Sequence, residues 1–281
     1  MKQETLRGDL NEMVKFQLGA SATLASMAIR VKDRDKMIHF YRDVVGFALK
    51  GEENALAIMG ISDEKAEYLL LEESPRADQG IGKIKKMAHF SLVIPTRAEF
   101  LATIQRLKNF GTELVEVAVE PLTIACKDPE DNGIQFIYRD DALDPIYSLE
   151  QIHTLTIDET PRLSSTVFFG PFNLNAFEIA KEQDFLQSQL GFVPSEDNMI
   201  FQNDTLETMV TLTPVTDDPS QYEAHEIIGL EFIRFILTQE DLLLLEAHFV
   251  EQDVEFYIDQ KKSILTIYDA LGVEWWFERQ K

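Results

Sequence analysis

The sequence predicts an α+β protein of two domains, each built from two paired βαβββ modules whose mostly antiparallel sheets curl around a cleft. Three observations predict it. A strand–helix–three-strand order recurs four times along the 281 residues. The pairs Gly46-Phe47 and Gly191-Phe192 stop the helices of the first and third copies at matching places. An unperiodic connection with Pro145 and Pro161, residues 142–163, separates the first two copies from the last two.

The elements follow in order. After an extension over residues 1–22, Ala25 to Val31 alternates Met27, Ile29 and Val31 against Ser26 and Arg30, a strand pattern. Asp33 to Val45 spaces Met37, Phe40, Tyr41, Val44 and Val45 as one helix face, and Gly46 supplies a left-handed stop. Apolar runs at Phe47–Leu49, Ala55–Ile58 and Tyr68–Leu71 complete the first module. The second has a strand from Ala88 to Ile94 and a helix from Arg97 to Asn109, which Gly111 ends. Runs at Leu114–Val119, Leu122–Cys126 and Ile134–Tyr138 follow. Together these form a first domain over residues 23–141.

A divergent second domain spans residues 164–281. Its third module opens near Val167 to Leu174 and carries a helix through Leu190. The fourth opens at Ile228 to Leu237, has a Leu-rich helix from Glu240 to Phe249, and closes with Val254–Ile258, Ser263–Tyr268 and Val273–Phe277. Trp275 and Trp276 alternate across the last strand, which predicts one in the core and one near the cleft or surface.

Composition bounds the function. The chain is 45% hydrophobic and 27% charged, which is globular. It has no apolar run of the roughly 18 residues that a membrane-spanning helix needs. No signal-peptide pattern opens it, so a cytoplasmic protein with no membrane partner is expected. One cysteine, Cys126, excludes a disulfide framework, and its apolar setting reads as a small buried hydrophobe. The net charge of −23 argues against nucleic acid as a partner. That charge is uneven: residues 1–145 hold 19 basic and 24 acidic side chains, residues 146–281 hold 7 and 25. A solvated acidic face explains this most simply. An acidic interaction surface, with self-association into a homo-oligomer, is the other reading.

Ile29-Arg-Val-Lys-Asp33, Phe40-Tyr-Arg-Asp-Val-Val-Gly-Phe47, His89-Phe-Ser-Leu-Val-Ile-Pro95 and Asp128-Pro-Glu-Asp-Asn-Gly-Ile134 resemble the glyoxalase, bleomycin-resistance and extradiol-dioxygenase superfamily, the vicinal-oxygen-chelate fold. The resemblance covers nearly all of the first domain. In the second it is carried mainly by Leu190-Gly-Phe192 and Asp269-Ala-Leu-Gly-Val-Glu274. Within the superfamily, Glu52-Glu-Asn-Ala-Leu-Ala-Ile58 and Leu71-Glu-Glu-Ser-Pro75 resemble the CppA family, named for complement-degrading proteinases.

The resemblance implies a divalent metal held in a paired-module cleft by His and Glu from the first and last strands of the modules. A catalytic metal needs about three protein ligands and an open position. The matching positions here are Ser26, His89 and Gln135 in the first domain, a poor donor set for iron, zinc or manganese. His89 alone is of the right type, and the plainer reading makes it a hydrogen-bonded cleft residue. In the second domain Glu231-Phe232 aligns over His89-Phe90, Glu274 falls at the terminal carboxylate, and Pro171 stands where module three should supply a ligand. Glu231 and Glu274 would suit a hard cation or a shared proton. No cofactor is therefore expected beyond that divalent metal, which the donor set disfavours.

Other motifs carry little. Gly80-Ile-Gly-Lys83 is too short for a phosphate loop. No Gly-x-Ser-x-Gly or His-Glu-x-x-His pattern supports proteolysis, and the proteinase reading rests on the family name. His39 and His248 fall on helices, His153 in the connection, and His225 before a strand. The sequence thus predicts a CppA-like binder of a small molecule or protein with a depleted metal site. The alternatives are a metal-dependent lyase, isomerase or dioxygenase with an atypical site, and a proteinase with an unrecognised one.

Overall fold

A computed structural model describes residues 16–19, 21–62, 64–77, 85–139, 148–202, 209–217 and 226–280. Module one holds β1 (Thr23–Val31), α1 (Arg34–His39) with a π-helical continuation (Phe40–Val45), β2 (Ala48–Glu53), β3 (Leu56–Gly60) and β4 (Glu67–Glu73). Module two holds β5 (Met87–Ile94), α2 (Arg97–Phe110), β6 (Val115–Val119), β7 (Leu122–Lys127) and β8 (Gly133–Tyr138). A short helix, α3 (Leu149–His153), lies in the connection. Module three holds β9 (Phe168–Ala176), α4 (Ile179–Asp184) with a π-helical turn (Phe185–Gln189), β10 (Val193–Pro194), β11 (Ile200–Gln202) and β12 (Met209–Pro214). Module four holds β13 (Gly229–Leu237), α5 (Gln239–Glu251), β14 (Tyr257–Ile258), β15 (Ile264–Tyr268) and β16 (Glu274–Arg279). The fourfold βαβββ order read from the sequence is present.

Local chemistry sets the helix ends. The Asp33 carboxylate accepts the Lys36 amide at 3.0 Å, starting α1. The first module's helix stops at Gly46, whose φ of 114° favours a residue without a Cβ. In α5 the Thr238 hydroxyl accepts the Asp241 amide at 3.2 Å.

The strands form two eight-stranded sheets, and their order differs from chain order. One sheet runs β14-β15-β16-β13-β1-β4-β3-β2, the other β10-β11-β12-β9-β5-β8-β7-β6. Each sheet is thus two modules joined edge to edge through antiparallel first strands, β1 with β13 and β5 with β9. Module one therefore shares a sheet with module four, and module two with module three. Chain order groups one with two and three with four. Alternation within a strand shows which face is buried but not which module covers the neighbouring edge.

One face of each sheet joins a common core. Trp275 of β16 stacks on Phe235 of its own sheet, with centroids 5.8 Å apart, and packs against Phe172 of β9 in the other sheet at 6.2 Å. The buried Tyr68 hydroxyl of β4 donates to the Val167 carbonyl at 2.9 Å, a further tie between the halves. With both inner faces spent on the core, each sheet turns its other face away from it.

Candidate functional site

The face turned outward by modules one and four is built in cross-strand rows. Ser26 of β1 pairs in register with Arg234 of β13, and Arg234 with Trp276 of β16. The next row runs through Ala28, Phe232 and Glu274. Beyond it, Arg30 pairs with Glu72 of β4. A one-residue irregularity in the β1–β13 register, between Ala28 and Ile29, leaves Glu231 reaching the Arg30 guanidinium. Sequence alternation places these side chains opposite Met27, Ile29, Ile233 and Trp275, which are in the core.

Two guanidinium groups organise the charge. Arg30 ion-pairs with Glu231 and, at 3.8 Å, with Glu72. Arg234 pairs with Glu67 at 3.0 Å and Glu278 at 3.4 Å. Burial, with Glu72 beside it, pushes the Glu231 carboxyl up to about 7 against the pull of Arg30. Phe232 and Trp276 stack, centroids 4.8 Å apart and planes 17° apart, giving an aromatic floor next to these charges.

Several polar atoms on this face are buried yet unsatisfied. Among the described residues, Ser26 Oγ, Arg234 Nε, Trp276 Nε1 and Glu231 Oε2 have no hydrogen-bond partner, although the Glu231 carboxyl lies against that of Glu72. Ser26 is fully buried. Buried polar atoms are normally paired, because each unpaired one costs on the order of 1–3 kcal/mol. Three of the four sit in the single row Ser26–Arg234–Trp276, across adjacent strands about 4.8 Å apart.

The face of modules two and three is chemically different. His89 of β5 pairs in register with Asn173 of β9, and Ser91 with Gln135 of β8. Asn173 Nδ2 donates to Thr211 Oγ1 at 2.6 Å, Thr213 Oγ1 donates to Asn173 Oδ1 at 3.0 Å, and Ser91 Oγ donates to Gln135 Oε1 at 3.4 Å. Burial holds the His89 imidazole below its ordinary range, which favours the neutral ring. This neutral network is largely satisfied internally.

The residues singled out by sequence are thus distributed over two sheets. His89 and Gln135 share one face; Ser26, Glu231 and Glu274 belong to the other sheet. Asp128 and Asp269 close equivalent turns, their amides donating to the Asn132 and Val273 carbonyls at 2.9 and 3.1 Å. Gly133 therefore corresponds to Glu274, and Gln135 to Trp276. The parallel pairs His89–Gly133 and Phe232–Glu274 carry the same equivalence, so Phe232 rather than Glu231 lies over His89. Alignment by sequence is one residue out at Glu231 and two at Glu274. An apolar alternation looks the same after a two-residue slip, and a bulge leaves no trace in it.

Among the described residues no three His, Cys, Asp or Glu side chains converge. In the module one–four face, Glu67, Glu72, Glu231 and Glu278 already pair with guanidinium cations, which a metal would have to displace. The other face offers one imidazole among amides and hydroxyls.

Cys126 and the described histidines other than His89 lie away from both faces. The Cys126 thiol is buried and pushed up to about 12 by burial, the opposite of a reactive thiolate. His39 bonds Asp43 at 2.7 Å on an exposed helix face, His153 lies 3.2 Å from Lys108 Nζ, and His248 stacks on Phe16. Trp275 is in the core, and Trp276 lies on the outward face. Gly80–Lys83 and His225 lie outside the described residues. Sequence reasoning does not single out Arg30, Arg234 or Trp276 as site residues. The available signal is a charged side chain centred in an apolar strand, as in Ile29-Arg-Val and Ile233-Arg-Phe.

Comparison with known proteins agrees with the architecture. Residues 23–136 match the family model of the Glyoxalase/Bleomycin resistance protein/Dioxygenase superfamily. No curated protein sequence matches the chain. Among solved structures, the cppA protein from Streptococcus pneumoniae TIGR4 superposes with a TM-score of 0.61 at 18% identity, over 92% of this chain and 99% of that one. A putative dioxygenase from Bacillus subtilis gives 0.60 at 14% identity, over 94% of this chain and 86% of that one. Glyoxalase I from Zea mays gives 0.55 at 13% identity, over 92% of each chain. Residues 23–136 are a domain of the Glyoxalase/Bleomycin resistance protein/Dioxygenase superfamily, and the chain as a whole has the four-module fold of these neighbours.

Proposed function

We propose that this protein binds a small organic molecule on the outward face of modules one and four, and that it does so without a metal. The row Ser26–Arg234–Trp276 carries the reading: three polar atoms are buried there, aligned in register and without partners among the described residues. A ligand oxygen would satisfy them. Arg30 and Arg234 supply positive charge on the same face, and the Phe232–Trp276 pair supplies a flat apolar floor. Nothing in this reading requires bond breaking.

The first test is metal content. Untagged protein, reconstituted with manganese, iron or zinc and dialysed, is measured by plasma mass spectrometry beside His89→Ala and Glu231→Gln variants. Well under one equivalent is expected in all three proteins. Near-stoichiometric metal that disappears in either variant would sink the proposal and favour a metal-dependent lyase, isomerase or dioxygenase.

A further inference from the structure

Resting on that reading, we infer the ligand's chemical class: an uncharged, flat molecule that presents a carbonyl oxygen to the row Ser26–Arg234–Trp276. The polar atoms of that row that lack partners among the described residues are all able to donate. Arg234 Nε and Trp276 Nε1 can only donate, and the Ser26 hydroxyl, fully buried, is free to donate as well. Two of the three therefore have no use for an N–H or ammonium group, and all three can use an acceptor. A carbonyl oxygen carries two in-plane lone pairs, so it can meet donors from two sides while the rest of the molecule lies flat.

The charges on the face are already engaged, which argues against both ionic alternatives. Arg234 turns its terminal nitrogens to Glu67 and Glu278, at 3.0 and 3.4 Å, and Nε is the donor left over. Arg30 holds Glu231 and Glu72, whose carboxyls lie against each other. An amine would have to displace a guanidinium group to reach any of these four carboxylates. An anion would meet two guanidinium groups offset by four carboxylates, in a chain of net charge −23, and would give up its hydration for little in return. An uncharged acceptor meets neither cost.

The flat shape follows from the neighbouring rows. Phe232 and Trp276 stack with planes 17° apart, and Ala28 and Leu70 continue the Phe232 row as an apolar strip. Phe232, Trp276 and Ile58, the β3 residue paired with Leu70, are only half-buried, so this floor is open to a solute. The donor atoms beside it are shielded, and a turn of the half-buried Trp276 ring is needed to admit the oxygen. A planar ring then covers the floor while its oxygen meets the row.

Titration calorimetry on the full chain, with a chelator present, tests this with three probes that share one ring system: 2-acetylnaphthalene, 2-naphthoate and 2-naphthylmethylamine. The ketone is expected to bind at least tenfold more tightly than the anion or the cation. Trp276→Phe keeps a ring on the floor and loses the N–H, and Ser26→Ala loses the hydroxyl. Each should weaken the ketone about tenfold, whereas Ser91→Ala, on the other sheet, should leave it alone. Ser26→Ala without ligand should melt no lower than the parent chain, because the hydroxyl it loses bonds nothing among the described residues.

Tighter binding of the anion or the cation, still weakened by Trp276→Phe, would overturn the uncharged class while leaving the binding face intact. Absence of heat from all three probes would also overturn the class. Ketone binding that neither Trp276→Phe nor Ser26→Ala changes would place the molecule elsewhere, and would overturn both this inference and the reading beneath it. A lower melting temperature for Ser26→Ala would do the same, since the hydroxyl would then be satisfied already. Binding that vanishes with the chelator and returns with manganese would overturn the metal-free reading and this inference with it.

Discussion

Glu182 is the least expected residue in the interior. It sits on α4, fully buried, with its carboxyl near that of Asp269. Burial and the neighbouring acid hold it well above the ordinary glutamate range. Asp269 is also raised by burial, although it accepts the Leu271 and Val273 amides at 2.9 and 2.8 Å and the Trp275 indole at 2.9 Å. Since the folded state keeps the Glu182 proton to higher pH than the unfolded chain does, the native state binds more protons between the two values. Stability is therefore unaffected below the ordinary glutamate range, and is lost as pH rises from there through the raised folded value. Glu182→Gln removes one ionisation at nearly constant shape. Its melting temperature should fall less between pH 6 and pH 9 than that of the parent chain. Parallel curves would show that Glu182 is not the titrating group.

At the scale of elements, the module shape depends on turns that reach into neighbouring modules. The Asp128–Asn132 turn holds module one from module two. Asp128 accepts the Tyr41 hydroxyl at 2.9 Å, and the Glu130 carboxylate accepts the Lys32 and Asp33 amides at 2.9 and 2.8 Å, where β1 gives way to α1. Arg106 of α2 plays a similar part at the other end of the first helix. Its guanidinium donates to the Val44 and Val45 carbonyls at 2.9 and 3.0 Å and to the Glu159 and Pro161 carbonyls at 2.9 and 2.7 Å. One side chain thus ties the end of the first helix to the connection.

Arg106→Ala leaves those carbonyls short of donors, and a loss of roughly 2–4 kcal/mol in denaturant unfolding is expected. Arg106→Lys should recover only part of it, since a single ammonium cannot reproduce a planar fork. A change below about 0.5 kcal/mol in Arg106→Ala would place these bonds among the dispensable ones. The sequence marks Asp128–Ile134 as a motif but does not show that its carboxylates serve the neighbouring module.

For the whole molecule, the decisive feature is the pairing of β1 with β13 and of β5 with β9. Each half of the chain alone would expose both of its first strands as unpaired edges, which favour association. Separately produced halves, residues 1–147 and 148–281, should therefore combine into a one-to-one complex when mixed, as read by size exclusion with light scattering. Two independent monomers would instead support modules paired in chain order. The charge division has a consequence at this scale as well. Each sheet joins one module from the near-balanced half to one from the acidic half, so both faces mix the two compositions.

The sequence by itself determined the repeated βαβββ order, the helix stops at Gly46 and Gly111, the alternation that sends one of Trp275 and Trp276 inward, and the superfamily to which residues 23–136 belong. All of these are local: they follow from periodicity, from φ preferences and from short motifs read along the chain. Tertiary structure decided which modules share a sheet, that His89 and Glu231 lie on different sheets, and that Ser26, Arg234 and Trp276 form one row. Those outcomes depend on register and on a bulge between strands about 200 residues apart, as with Arg30 and Glu231. Strand pairing uses backbone hydrogen bonds that every residue but proline can make, so the sequence records which face of a strand is buried and leaves the neighbour to the packing of the whole.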